Sequence, residues 1–234
     1  MKKVRLRKDI VHNDKLSAEA VALYISLCYY TNEQKYCVID NFSCRILSGA
    51  AGKECNIIDS ISELEENNYI KIISTYKGRY IIDKNNCMIG KCDYYISVNP
   101  DDIAAIVNSG YKNRFAVLRL YVILIGTFAN GDIDEIYKGK VGFMPQSYLA
   151  KLCNIDVKTV HRISEQLVSL NLIYIEHSRY YKERNYYSLP KNAELLIHYR
   201  DEAEEKFGRK NKTAPDINND NADFLFLDDA ESDF

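Results

Sequence analysis

Apolar residues recur at helical spacing from Ser17 to Tyr30, where Ala20, Val21, Tyr24, Leu27 and Cys28 share one stripe, and Ser17 with Glu19 close behind reads as the start of that helix. A shorter helix is predicted around Asn41 to Leu47. Ser48-Gly49-Ala50-Ala51-Gly52 breaks it, and Lys53 to Asn67 resumes helical spacing through Ile57, Ile61 and Leu64. The period then shortens in Tyr69 to Tyr76 and again in Arg79 to Ile82, which reads as a β-hairpin turning at Lys77-Gly78.

The same order recurs downstream. A helix is predicted from Asn113 to Ala129, with Ala116-Val117 and Leu120-Tyr121 echoing Ala20-Val21 and Leu23-Tyr24. Pro145 suits the first turn of a further helix, because its missing N–H would be unpaired there. A turn at Cys153-Asn154-Ile155-Asp156 leads to a helix over Val157–Leu170, and strands follow at Ile173–Glu176 and Asn185–Leu189. Leu64, Asn68, Tyr69 and Ile70 match Leu167, Asn171, Leu172 and Ile173 at a constant offset. The chain therefore reads as a tandem duplication of one supersecondary unit, too few copies for a solenoid. Lys206 to Asp223, rich in Lys, Asn and Asp, cannot bury enough apolar area to offset its ordering entropy and is expected to be mobile.

In the second unit Leu149, Ala150 and Leu152 should face inward from one helix, with Val157, Val160, Ile163 and Leu167 pinning the next against it. Lys158, Thr159, His161 and Arg162 are then left outward on the early turns of the second helix, with Gln146, Ser147 and Lys151 on the helix before it. These residue types can contact DNA: Arg pairs bidentately with guanine, Thr offers a hydroxyl and a methyl, and Lys and His donate to bases or phosphates. Asp156-Val157-Lys158-Thr159-Val160-His161-Arg162, followed by Leu167 and Asn171-Leu172-Ile173, resembles the helix-turn-helix and wing entry of bacterial winged-helix proteins. The resemblance implies a wing carrying Arg179, Lys182 and Arg184, with His177, among tyrosines. In the first unit the corresponding positions are Arg45, Lys53, Asn56, Lys77 and Arg79, with Glu63, Glu65 and Glu66 making the far end of the helix acidic. Packing against its twin or dimerisation is an equal expectation for that copy.

Val4-Arg5-Leu6-Arg7-Lys8-Asp9-Ile10-Val11, followed by Lys15-Leu16-Ser17-Ala18-Glu19-Ala20, is similar to the start of replication-initiator and replisome-organiser proteins of Gram-positive plasmids and phages. There a short strand precedes the first helix of a winged helix. The resemblance covers Val4 to about Ile82 and implies origin binding. A second winged helix stands where a helicase-loader domain would be expected.

Net charge changes the picture once it is divided. The chain carries −2 overall, which splits into +2 over residues 1–100, +3 over 101–200 and −7 over 201–234. A mildly basic body with an acidic tail suits a nucleic-acid partner and a separate interaction segment. In that tail Asp223-Phe224-Leu225-Phe226-Leu227-Asp228-Asp229 reads either as a docking motif or as a solubilising end. No apolar h-region follows the basic start, and the most apolar stretch, Phe115 to Ala129, contains Arg119 and is too short to span a bilayer. A soluble, cytoplasmic protein is expected. The seven cysteines are irregularly spaced and suit a reducing compartment, and Cys87 with Cys92 finds no second pair to complete a metal site. Gly49-Ala50-Ala51-Gly52-Lys53-Glu54 lacks phosphate-loop spacing, and the four histidines show no metalloprotease pattern.

The expected fold is α+β, mainly α, with two winged helix-turn-helix domains at 1–98 and 99–200 and an acidic flexible tail at 201–234. The expected function is non-enzymatic, sequence-specific binding of double-stranded DNA in replication initiation or regulation of a mobile element. Transcriptional regulation at promoters and a protein-interaction module are the alternatives. No catalytic residue, metal or cofactor is expected. Partners are duplex DNA, a second copy of the chain, or a replication or transcription protein docking on Phe224–Leu227, and no membrane.

Overall fold

Two long helices, almost wholly apolar, set the centre of the molecule: α2 (Ala18–Thr31) and α5 (Arg114–Thr127) pack against each other, and most of their side chains are buried. The computed structural model describes residues 3–31, 35–40, 57–77, 79–84, 86, 94–128, 134–180 and 184–211. Around α2 and α5 the chain runs β1 (Val4–Arg7), α1 (Lys8–Val11), α2, β2 (Tyr36–Asp40), α3 (Ile57–Glu66), β3 (Lys71–Tyr76), β4 (Arg79–Asp83), β5 (Tyr95–Val98), α4 (Pro100–Val107) and α5. It continues as β6 (Val141–Pro145), α6 (Gln146–Cys153), α7 (Val157–Ser169), β7 (Tyr174–His177), β8 (Arg184–Ser188), a 3-10 turn at Pro190–Asn192 and α8 (Ala193–Asn211). The fold is α+β, mostly helical, with small antiparallel sheets. Among the described residues no helix is long and apolar enough to cross a membrane.

Two of the sheets have the same strand order, β2-β4-β3 and β6-β8-β7, each a hairpin with an earlier strand added beside its second arm. The helices that precede the hairpins also end alike. Asn68 and Asn171 both adopt positive φ, at 58° and 55°. The next residue in each case, Tyr69 or Leu172, donates its N–H to the carbonyl of Leu64 or Leu167, at 2.9 and 3.0 Å. Asn tolerates this left-handed conformation better than most residues, which is why it recurs at the same place in both repeats.

The repeats share one apolar core, which runs from Val4 to Tyr187 without a break at residue 98. β1 and β5 pair antiparallel, Val4 opposite Val98 and Leu6 opposite Ile96, with these four side chains turned inward and Arg5 opposite Ser97 between them. Arg119 adds a polar tie. Its guanidinium is buried in α5 and donates to the carbonyls of Leu16, at 2.5 Å, and Asn13, at 2.6 Å, just before α2.

Several elements depart from the sequence expectation. β2, β6, α4 and β5 were not expected; β2 and β6 each add only five residues, too few for periodicity to single out. Pro145 is the last residue of β6 and the N-cap of α6, not its first turn. The tail expected from 201 begins instead as helix, because α8 continues to Asn211 and buries Leu196 and Glu204 against the second sheet. The helix expected at Asn41–Leu47, the first residues of Lys53–Asn67, Gly78, Ala129 and the segment beyond Asn211 lie outside the described residues.

Candidate nucleic-acid interface

α6 and α7 meet through a three-residue turn whose chemistry is local. Asn154 closes α6 in the left-handed region, φ 52°, and Ile155 donates back to the Ala150 carbonyl at 3.0 Å. Asp156 then caps α7. Its carboxylate accepts from the Thr159 N–H at 2.8 Å and from the Thr159 hydroxyl at 2.7 Å, and these bonds hold its pKa below the usual carboxylate value. Leu149, Ala150 and Leu152 of α6 and Val160, Ile163 and Leu167 of α7 are buried, as the spacing predicts, but Val157, expected to pin α7 with them, is 40% exposed because it sits at the first helical position, ahead of the contact with α6. Lys158, His161 and Arg162 are thereby turned to solvent on the first turns of α7, with Ser147 and Lys151 exposed on α6. Among the described residues neither Lys158 nor Arg162 has an ion pair; His161 lies 3.4 Å from Glu165 one turn on.

Other expected site residues stand differently. Gln146 is buried, since it falls on the same stripe as Leu149, Ala150 and Cys153, at the i, i+3, i+4, i+7 positions. Thr159 is half-buried, and its hydroxyl proton is committed to the cap. Arg179, at the tip of the β7–β8 hairpin, is exposed but folded back on α8, 3.1 Å from Asp201 and 4.0 Å from Glu204, while its backbone N–H donates to Glu204 at 2.9 Å. Arg184 is half-buried in β8. Arg200 of α8 pairs with Glu176 of β7 and with Asp201, so the C-terminal helix braces the hairpin by charge as well as by packing. Sequence reasoning missed this brace. Its signal was the cluster Arg200-Asp201 with Glu204, one turn apart on a helix that was not anticipated there.

In the first repeat, Arg45, Lys53, Asn56 and, in the second, Lys182 lie outside the described residues, as do Gly49–Glu54, Cys87 and Cys92. Lys77 and Arg79 are exposed on the first hairpin, with the Lys77 ammonium 5.2 Å from the Tyr76 ring centre. The described outward face of α3 carries Ile58, Asp59, Ser62 and Glu66 and no cation. Glu63 and Glu65 are tied up structurally: Glu63 accepts from the Ser17 N–H and Glu65 from the Ile72 N–H, both at 2.8 Å. Among the described residues, the outward face of α3 is therefore acidic where that of α7 carries Lys158, His161 and Arg162.

No protein-family model matches the chain, and no curated protein matches it.

Cys28, Cys37 and Cys153 carry free thiols, and burial pushes those of Cys28 and Cys153 up to about 11 and about 12, which makes them inert packing residues. Among the described residues there is no group of three metal-ligating side chains.

Proposed function

We propose that this chain is a double-stranded-DNA-binding protein with two tandem winged helices, in which α7 of the second repeat is the recognition helix. One observation carries the reading: Lys158, His161 and Arg162 stand exposed on the capped first turns of α7, and a hairpin follows it in the chain. Recognition helices reach base edges in the major groove from those turns, and hairpin cations settle on the flanking phosphates. The shared strand order of the two sheets supports the winged-helix assignment of both repeats. The first repeat, with Ile58, Asp59 and Glu66 on the matching helix face, contributes packing and its hairpin cations Lys77 and Arg79 in preference to helix readout.

Within DNA binding, replication initiation or regulation on a mobile element is favoured over promoter control by the short strand β1 ahead of the Leu16-Ser17-Ala18-Glu19-Ala20 entry to α2, the arrangement of the initiators that this region resembles. Duplexes selected from a random pool with the full chain supply the target. On that target Lys158→Ala and Arg162→Ala are each expected to weaken binding by about 1–3 kcal/mol. Binding that is absent at low salt, or that survives the double substitution undiminished, overturns the proposal.

A further inference from the structure

The outer face of the second sheet is covered by α8, whereas among the described residues that of the first keeps large apolar side chains exposed. On β6-β8-β7, α8 lies across the row Phe143, Tyr186, Glu176: Leu196 is buried there, Tyr199 sits 6.0 Å from the Tyr186 ring centre and 5.0 Å from that of Tyr137, and Arg200 pairs with Glu176. On β2-β4-β3 the register aligns Val38 with Ile81 and Ser74, flanked by Tyr36 in one neighbouring row and Tyr76 in the other. Tyr36, Val38, Ile81 and Tyr76 are 51%, 59%, 40% and 68% exposed. Adjacent large apolar side chains left open on one sheet face mark a binding surface. Lys71 and Lys77 line its β3 edge, while Lys35 is paired with Asp83 at 3.7 Å.

We infer that this face is the docking site of the chain's own segment 223–229, Asp-Phe-Leu-Phe-Leu-Asp-Asp. Phe224 and Phe226 supply apolar anchors for Val38 and Ile81, and Asp223, Asp228 and Asp229 supply the charge that matches Lys71 and Lys77. The segment after Lys212 contains no Lys or Arg at all, so nothing in it opposes that match. Residues 212–223 separate the end of α8 from Phe224 and reach up to about 40 Å, against roughly 30 Å for the width of a small domain. Tethering at such a length raises the local concentration to the order of 1 mM, enough for a motif too short to bind tightly in trans. The docking stands on this complementarity alone and does not require that α7 bind DNA.

Hydroxyl-radical footprinting of the full chain tests it, with oxidation of Tyr36 and Tyr76 as the readout. Both tyrosines are expected to react several-fold more slowly in the parent chain than in Phe224→Ser/Phe226→Ser, at unchanged helix content by circular dichroism. Val38→Glu, which changes only an exposed face residue, is expected to remove the same protection of Tyr76 with the tail intact. Equal oxidation rates in the parent and the tail variant overturn the inference. Protection that appears only as the protein is concentrated, together with a doubled mass in sedimentation, also overturns it and assigns the face to a second copy.

Discussion

Asn154 holds a backbone conformation that most side chains avoid, and the whole geometry of the candidate recognition helix follows from it. At φ 52° it ends α6 and aims Asp156 to cap α7. Asn154→Ala is expected to lower stability by about 1 kcal/mol in a urea titration, because alanine adopts the left-handed conformation without the short polar side chain that eases it for asparagine, whereas Asn154→Gly should be no less stable than the parent. His12 offers a second test. Burial, then Lys8 and Arg119, lower its pKa from 6.5 to about 4. The folded state resists a proton that the unfolded state accepts, so stability falls as pH drops from about 6.5 to about 4 and levels off below that. His12→Phe should flatten the thermal midpoint across that window. At this scale much was legible: the stripe of buried residues on α6 and α7 and the exposure of Lys158, His161 and Arg162 follow from spacing alone. Gln146 and Thr159 were legible too, by stripe position and by the Asp-x-x-Thr cap, but reading them as ligands overlooked both signals.

At the scale of elements, α8 decides how much positive charge the hairpin offers. Arg179 is held by Asp201 and Glu204, a carboxylate pair on one helical turn. Releasing it should favour phosphate contact. Asp201→Asn combined with Glu204→Gln is expected to raise affinity for a bound duplex and to steepen its salt dependence by about one unit of slope, as one more cation meets a phosphate. Fluorescence anisotropy across a salt series measures both; an unchanged slope would mean that Arg179 stays off the DNA. The charge cluster of this brace is visible in the sequence, but its place on a buried helix is not, because α8 has mixed polarity after Arg200 and its burial depends on Tyr186 and Tyr137, partners far away in the chain. β2 and β6 were hidden for another reason. A five-residue strand laid beside a hairpin takes its identity from pairing, which local pattern does not record.

Across the whole molecule, a single core crosses from one repeat to the other and Arg119 of the second donates to two carbonyls of the first, so the two are expected to unfold together. Arg119→Ala leaves the Leu16 carbonyl without its guanidinium donor and the Asn13 carbonyl with only the Leu16 N–H, 3.2 Å away, and is expected to cost roughly 2–3 kcal/mol. Thermal unfolding followed by far-ultraviolet dichroism and by tyrosine fluorescence should show one coincident transition, shifted as a unit in the variant; two separated transitions would show that the repeats melt apart. The duplication itself was legible from the constant offset of Leu64–Ile70 and Leu167–Ile173. The joining of the copies was not, because it depends on a core shared by distant helices and on a buried arginine whose partners are backbone atoms.

The antiparallel match of Val4–Arg7 with Tyr95–Val98 has a consequence for synthesis on the ribosome. β1 does not meet its partner strand β5 until some ninety later residues have been translated, and the carbonyls before α2 wait longer still for their guanidinium. The chain up to β4 therefore leaves the exit tunnel with an apolar edge uncovered, and that edge closes only when β5 arrives.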